Sequence, residues 1–358
     1  MDEVGARLRL AREAAGISLT GMAARTNFSK SHLGNVETGR RPPTADVVLA
    51  YERALGDSVE RRGLLTGLAA SMVAPAAVAE LIREGFTAAL DGRSAEDDWL
   101  GRVESYGQQY MSVGAVDLQQ RLARDLVVIQ QHLETPAMWS AASRLLTTYG
   151  KTATDRKAAV RWYRLAAVAA DRSGDVTTRV WVRGRSALAL AYEAAELPVA
   201  ATLAEQALAI DDKPTLGRLN ALVAQAHVAG VRGDAQTATA ALDAARRVFD
   251  TAGSHEQVSD FAVPEWRFHT FASMLLSRLG DPGAVDEQDA ADRTRPATLP
   301  RFATHIELHR GLMLAKAGDR AGGAAYARAA LDKLPPEKHS LSLRLMMAEV
   351  EHAGTAAR

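Results

Sequence analysis

The sequence predicts an all-α protein, and three observations carry that reading. Aromatic residues make up only 5% of the 358, alanine, leucine, arginine and valine crowd the chain, and β-branched runs seldom alternate apolar with polar residues. The period of a strand is therefore missing, while apolar residues recur at helical spacing along most of the length. Short breaks containing glycine, proline or aspartate interrupt that pattern where helical hairpins turn. A chain this long buries a substantial core and ordinarily divides into two or three domains. The pattern here divides into a five-helix head over 1–57, a helical linker over 58–94 and an α-solenoid over 95–358.

In the head, Val4, Leu8, Ala11 and Ala15 fall on one stripe of a first helix that stops at Gly16. Ser18 is placed to cap a second helix that buries Met22 and Ala23, because a serine hydroxyl accepts from the amides that a helix start leaves unpaired. Asn27 then stands where the chain must turn, and asparagine tolerates the left-handed conformation better than most residues. Ser29 is the expected cap of a third helix that buries Leu33 and Val36 and ends at Gly39. A loop containing Pro42 and Pro43 leads to a fourth helix from about Thr44, and a fifth follows Asp57. The stretch RRGLLTGLAASMVAPAAVAEL has the paired arginines of an export signal, but it lies inside the chain, is broken by Pro75 and is too short to span a bilayer. It reads as a linker helix packed into an interface.

From about residue 95, long helical segments alternate with breaks at Gly150, Glu196, Gly233, Gly280 and Gly318, which lie 46, 37, 47 and 38 residues apart. That irregular period lies in the range of helix-pair repeats. In LNALVAQAHVAGVRGDAQTATAALDAARRVF, Ala226, Ala238 and Ala245 fall where two helices must approach closely, with Gly233 and Asp234 turning the hairpin. This stretch resembles the tetratricopeptide repeat, as does HRGLMLAKAGDRAGGAAYARAAL from His309 to Leu331. The resemblance implies a curved α-solenoid with a concave face.

A polar cluster at the start of the third helix is how a helix-turn-helix presents side chains to a major groove. The segment from GARLRLAREAAGIS to YERAL resembles the XRE family of such domains, over about the first 55 residues. By that resemblance Glu37 pairs with Arg12 and fixes the third helix against the first. Lys30, Ser31 and Asn35 share one exposed stripe and match family positions that meet base edges. Asparagine suits adenine, and lysine suits guanine or a phosphate. Ser29, His32, Thr38, Arg40 and Arg41 flank the stripe as candidate phosphate contacts. Leu19 stands where several family members place a DNA-contacting glutamine. The whole chain balances 43 basic against 43 acidic residues, yet the segment from Arg25 to Arg41 holds four basic residues and one acid. Affinity for a double-stranded operator must therefore come from this patch and not from the net charge. One such head touches few base pairs, so a homodimer reading two half-sites is expected.

Joined to the repeats, the head makes the chain resemble the peptide-responsive RRNPP regulators, whose repeat domain binds a short peptide along its concave face. The resemblance implies a sensor of a peptide or a small molecule. Counting from Gly233 places Asn220, Val223, His227 and Gly230 on the concave side, and the same count places Arg267, Thr270 and Met274, then His305 and Leu308, on the following helices. An asparagine amide both donates to and accepts from an extended backbone. Arg183 and Arg185 precede them and suit a carboxylate. The rival reading is a scaffold whose groove holds a partner protein, tethered to DNA by the head.

The sequence gives no support for an enzyme. HIELH sets His305 and His309 on one helical face, but it lacks the glutamate order of a zinc protease and an evident third ligand. No glycine-rich loop follows a strand, and no nucleophile elbow is present. The absence of cysteine removes disulfides and thiolate metal sites and suits a reducing, cytoplasmic setting. No cofactor, metal or membrane association is expected.

Overall fold

Side-chain oxygens at the ends of loops set where most of the helices begin. The computed structural model describes residues 5, 8, 9, 12, 13, 17–55 and 95–353, and every regular element among them is helical. The expected fifth helix and the linker at 58–94 lie outside the described residues. By its internal contacts the chain divides into two compact units, Met1–Gly92 and Arg93–Arg358.

In the first unit, α1 is Leu19–Arg25, α2 Lys30–Glu37 and α3 Ala45–Leu55. The Gly21 amide donates to the hydroxyl of Ser18 at 3.0 Å, and the His32 amide to that of Ser29 at 3.2 Å. Each bond satisfies a donor the helix start leaves orphaned. Gly39, at φ 71°, ends α2 in the left-handed conformation that a glycine adopts freely. Asn27 departs from expectation: among the described non-glycine residues only Ala194 and Glu196 have positive φ. The turn is instead made by bends, with the Thr26 hydroxyl donating back to the Met22 carbonyl at 3.0 Å. Leu8, Met22, Leu33, Val36, Val47 and Tyr51 form the core.

The second unit is built of helical hairpins. It opens with α4 (Ala95–Ser112) and α5 (Ala115–Ile129). Five hairpins follow: α6 (Pro136–Lys151) with α7 (Arg156–Ser173), α8 (Val176–Tyr192) with α9 (Leu197–Ile210), α10 (Leu216–Val231) with α11 (Ala235–Ala252), α12 (Glu265–Leu279) with α13 (Ala284–Thr294), and α14 (Pro300–Lys316) with α15 (Arg320–Asp332). The last described helix, α16 (Leu341–His352), packs on α14 and α15. Gly233, Gly280 and Gly318, all at positive φ, turn three of the hairpins. These packed pairs are consistent with a helical repeat region.

The two members of a hairpin have different surfaces. In α8, α10, α12 and α14 most residues are buried all round, whereas α11 buries only Ala238, Leu242 and Ala245. Helices of the first kind are enclosed by neighbours, and those of the second kind show the single apolar stripe of a surface helix. Where α8 meets α10 the backbones touch: a Cβ on Gly184 would stand 2.1 Å from the Gly217 carbonyl oxygen, and one on Gly217 would stand 2.6 Å from the Trp181 nitrogen. Only glycine fits at either place. No helix among the described residues is long and apolar enough to cross a membrane.

Candidate functional site

Two sites follow from the two units. In the first, a buried polar triad holds α2. Arg12 donates from Nε to Glu37 Oε1 and from Nη2 to Glu37 Oε2, both at 2.7 Å, and its third nitrogen donates to the Ile17 carbonyl at 2.8 Å. The Tyr51 hydroxyl donates to Glu37 Oε1 at 2.6 Å. A two-pronged guanidinium–carboxylate pair fixes orientation as well as distance. The hydrogen bond to Glu37 raises the pKa of Arg12, and burial together with Glu37 raises that of Tyr51. Arg12 is therefore charged and Tyr51 neutral at neutral pH.

With Glu37 committed inward, the outer surface of α2 carries Lys30, Ser31 and Asn35, all exposed. Ser29, Arg40 and Arg41 are exposed beside them, and the Arg40 and Arg41 amides both donate to the Asn35 carbonyl, which holds the basic loop against the helix end. The other two flanking side chains already serve the fold. His32 is half-buried and stacked on Phe28, with ring centroids 5.2 Å apart, and the Thr38 hydroxyl donates to the Gly34 carbonyl at 2.7 Å. A hydroxyl has one proton, so Thr38 keeps only acceptor capacity for a ligand.

Residues 3–65 match the family model of the helix-turn-helix domain. The chain thus has an N-terminal helix-turn-helix domain followed by an all-helical region, and that domain implies DNA binding. No curated protein matches the chain, and neither does any solved structure.

In the second unit the side chains named from sequence do not share one surface. Arg185, Arg267, Thr270 and His305 line a cleft with a cavity of about 60 Å3, walled by α4, α6, α8, α12, α14 and the start of α16. Asn220, His227 and Met274 are buried elsewhere and do not line it. His227 Nδ1 accepts a hydrogen bond from Arg278 at 3.0 Å, and its ring lies edge-on to Tyr192. Gly230 faces Leu275 of α12, so this side of α10 meets a neighbouring helix and not an open groove. Arg183 points to another face of α8, bonded to Asp171 at 2.6 Å and Gln206 at 3.4 Å. The counting from Gly233 missed this because helices enclosed on all sides give no stripe from which to fix a phase.

The cleft has members that sequence reasoning passed over: Lys151, Arg301, Glu193 and Tyr110. Behind them lies Asp260, on the loop between α11 and α12. Its amide donates to the Gly107 carbonyl at 2.8 Å. Arg185 donates to Asp260 Oδ1 at 2.7 Å, Arg267 donates to the same oxygen at 2.6 Å, and Lys151 bonds to it as well. These four side chains are between 1% and 6% exposed. Burial alone would raise the Asp260 pKa, but Arg185, Lys151 and Arg267 hold it far below the usual carboxylate range. Burial and the neighbouring Arg185 push Lys151 well below its ordinary value. Arg301 donates to the Tyr110 carbonyl at 2.6 Å, and its guanidinium lies 5.1 Å from the Tyr110 ring centre. No local pattern signals this cluster, because Asp260 lies 75 residues from Arg185 and 109 from Lys151.

Tyr192 closes one side. Its hydroxyl lies 3.1 Å from His309 Nε2 and 3.4 Å from His305 Nδ1, and the other nitrogen of His309 meets the Ser273 hydroxyl at 2.8 Å. Burial depresses the pKa of His305 to about 3 and that of His309 well below the ordinary value. Both imidazoles are neutral members of a hydrogen-bonded core. No group of three histidine, aspartate or glutamate side chains placed to hold a metal occurs among the described residues.

Proposed function

We propose that this chain is a homodimeric, cytoplasmic transcription regulator whose helix-turn-helix domain reads an operator and whose second unit binds an effector that alters DNA binding. The observation that carries the first half is the exposed row Lys30, Ser31 and Asn35 on a helix locked by Arg12, Glu37 and Tyr51. A recognition surface works only if its frame is rigid, and this frame is buried and bidentate. In this reading Lys30, Ser31 and Asn35 meet base edges, and Ser29, Arg40 and Arg41 meet phosphates. His32 and Thr38 contribute mainly by holding the helix.

The domain order is read as a head over 1–57, a linker over 58–94 and a sensor and dimerisation region over 95–358. The packed hairpins support a tetratricopeptide-like identity and, with the head, a likeness to the RRNPP regulators. The effector contacts are then the four named residues that line the cleft: Arg185, Arg267, Thr270 and His305. An effector shifts the dimer between DNA-competent and incompetent forms only in proportion to its preference for one of them.

The test is selection of binding sites from genomic fragments by the full chain at physiological salt, followed by gel shifts with the recovered site. A preferred site is expected, and Asn35→Ala should lose it while remaining dimeric by light scattering. If no fragment is enriched, the reading fails.

A further inference from the structure

Four basic side chains face the cleft of the second unit: Lys151, Arg185, Arg267 and Arg301, and the three guanidiniums stay charged whatever the state of the lysine. Buried like charges repel strongly, and one carboxylate does not balance them. Asp260, which meets three of the four, is not part of the cleft wall, so the surface offered to a ligand is the cationic side of that cluster. All three basic groups also crowd onto the same oxygen of Asp260, and its other oxygen and the Nε donors of both Arg185 and Arg267 are enclosed without a hydrogen-bond partner. Enclosed guanidinium donors of this kind demand an acceptor.

We propose that this cleft is a binding site for the anionic head group, a carboxylate or a phosphate, of a small organic effector. The proposal rests on the reading of the second unit as the effector-binding part, and it narrows the effector to a chemical class. Guanidinium groups suit both head groups because their paired donors match two anionic oxygens. A cavity of about 60 Å3 encloses the head group and leaves the organic part on the open side of the cleft. A peptide would enter by its C-terminal carboxylate alone. The rings of Tyr110, Phe271 and Phe302 also line the cleft and give the organic part an apolar, polarisable surface. The one carboxyl on the wall, Glu193, is no obstacle, since burial pushes its pKa up to about 7 and leaves part of the population as a neutral acid able to donate.

The experiment is calorimetric titration of the full chain with benzoate, phenyl phosphate and the uncharged benzamide, each up to ~10 mM, a range that detects even weak single-site affinity. Saturable binding of benzoate, of phenyl phosphate or of both is expected, with none for benzamide, and the stronger of the two names the head group. Arg301→Gln removes a cation that is not tied to Asp260 and should weaken the preferred anion roughly tenfold or more. Arg183→Gln, on another face of α8, should leave that affinity unchanged. If Arg301→Gln proves misfolded by circular dichroism, the wild-type contrast between benzoate or phenyl phosphate and benzamide decides alone. The proposal is overturned if neither anion binds, if benzamide binds as well, or if folded Arg301→Gln binds like the wild type. Gel shifts on the same preparation separate the two readings. Retained DNA binding with no anion binding removes only this site, whereas anion binding without any preferred DNA removes the regulator and leaves the site.

Discussion

Arg12, Glu37 and Tyr51 show how one side chain decides whether its neighbours are available to DNA. Glu37 lies in the same short helix as Lys30 and Asn35, but its carboxylate is buried and takes three hydrogen bonds. Glu37→Ala strands a buried guanidinium, which costs about 3–5 kcal/mol. Tyr51→Phe removes one hydrogen bond to the carboxylate and costs about 1.5–3 kcal/mol. Urea melts of the two variants should therefore separate clearly, and equal midpoints would refute the triad as the frame of α2. On the DNA side, Asn35→Ala should lose about 1–3 kcal/mol for the cognate site alone. Arg40→Ala should weaken all sequences alike and lower the salt slope by ~1 per head. The capping roles of Ser18 and Ser29 were legible in the sequence because a cap depends on neighbours three residues away. The engagement of Thr38 and His32 was not legible, since it depends on hydroxyl and ring orientation.

Helices differ in how much of themselves they reveal. The outer helix α11 shows its packing in its sequence, because Ala238, Leu242 and Ala245 recur on one side while Gln236, Thr239, Arg247 and Asp250 lie exposed. The enclosed helices α8 and α10 hide theirs: burial on every side removes the periodic contrast, so spacing alone puts Asn220 and His227 on a groove that α10 does not line. The all-α class and the hairpin breaks survive this ambiguity because they depend on glycines and turns. A cleft assembled from six helices depends on long-range contacts that no local pattern encodes. The α8–α10 contact offers a direct test. Gly184→Ala and Gly217→Ala each place a methyl group against backbone, and backbone cannot rotate away as a side chain would. Each should cost about 1–3 kcal/mol or more and lower Tm without changing helix content in the native state. Gly101→Ala, where a Cβ meets nothing within 4 Å, is the control and should be neutral or stabilising. Unchanged Tm in the first two variants would show that the helices are further apart than described.

At the scale of the whole chain, titration reports how the charges are arranged. The formal net charge is zero, so stability against pH is governed by particular buried groups and not by general repulsion. His227, His305 and His309 all have folded pKa values depressed by burial, to about 3 for His305. An unfolded imidazole takes up its proton near pH 6.5, so between that pH and the folded value the unfolded state binds more protons. Each histidine then stabilises the fold above pH 6.5 and loses that contribution as pH falls, by at most about 1.4 kcal/mol per pH unit. Glu193 acts in the opposite sense: its folded pKa of about 7 lies above the unfolded value, so it favours the fold more as pH falls from 7 toward 4.5. His269, whose pKa the hydrogen bond to Glu287 raises, acts in the same sense as Glu193, so three groups stand against two and a net loss on acidification remains. Asp260, held far below the usual carboxylate range, extends that loss below pH 4. Tm should therefore fall steadily between pH 7 and pH 5, and His305→Phe, which removes one of the three titrating rings, should flatten that slope. A Tm that stays level or rises on acidification would mean that the rings around Tyr192 are protonated in the folded protein, and the neutral hydrogen-bonded core described for them would have to be abandoned.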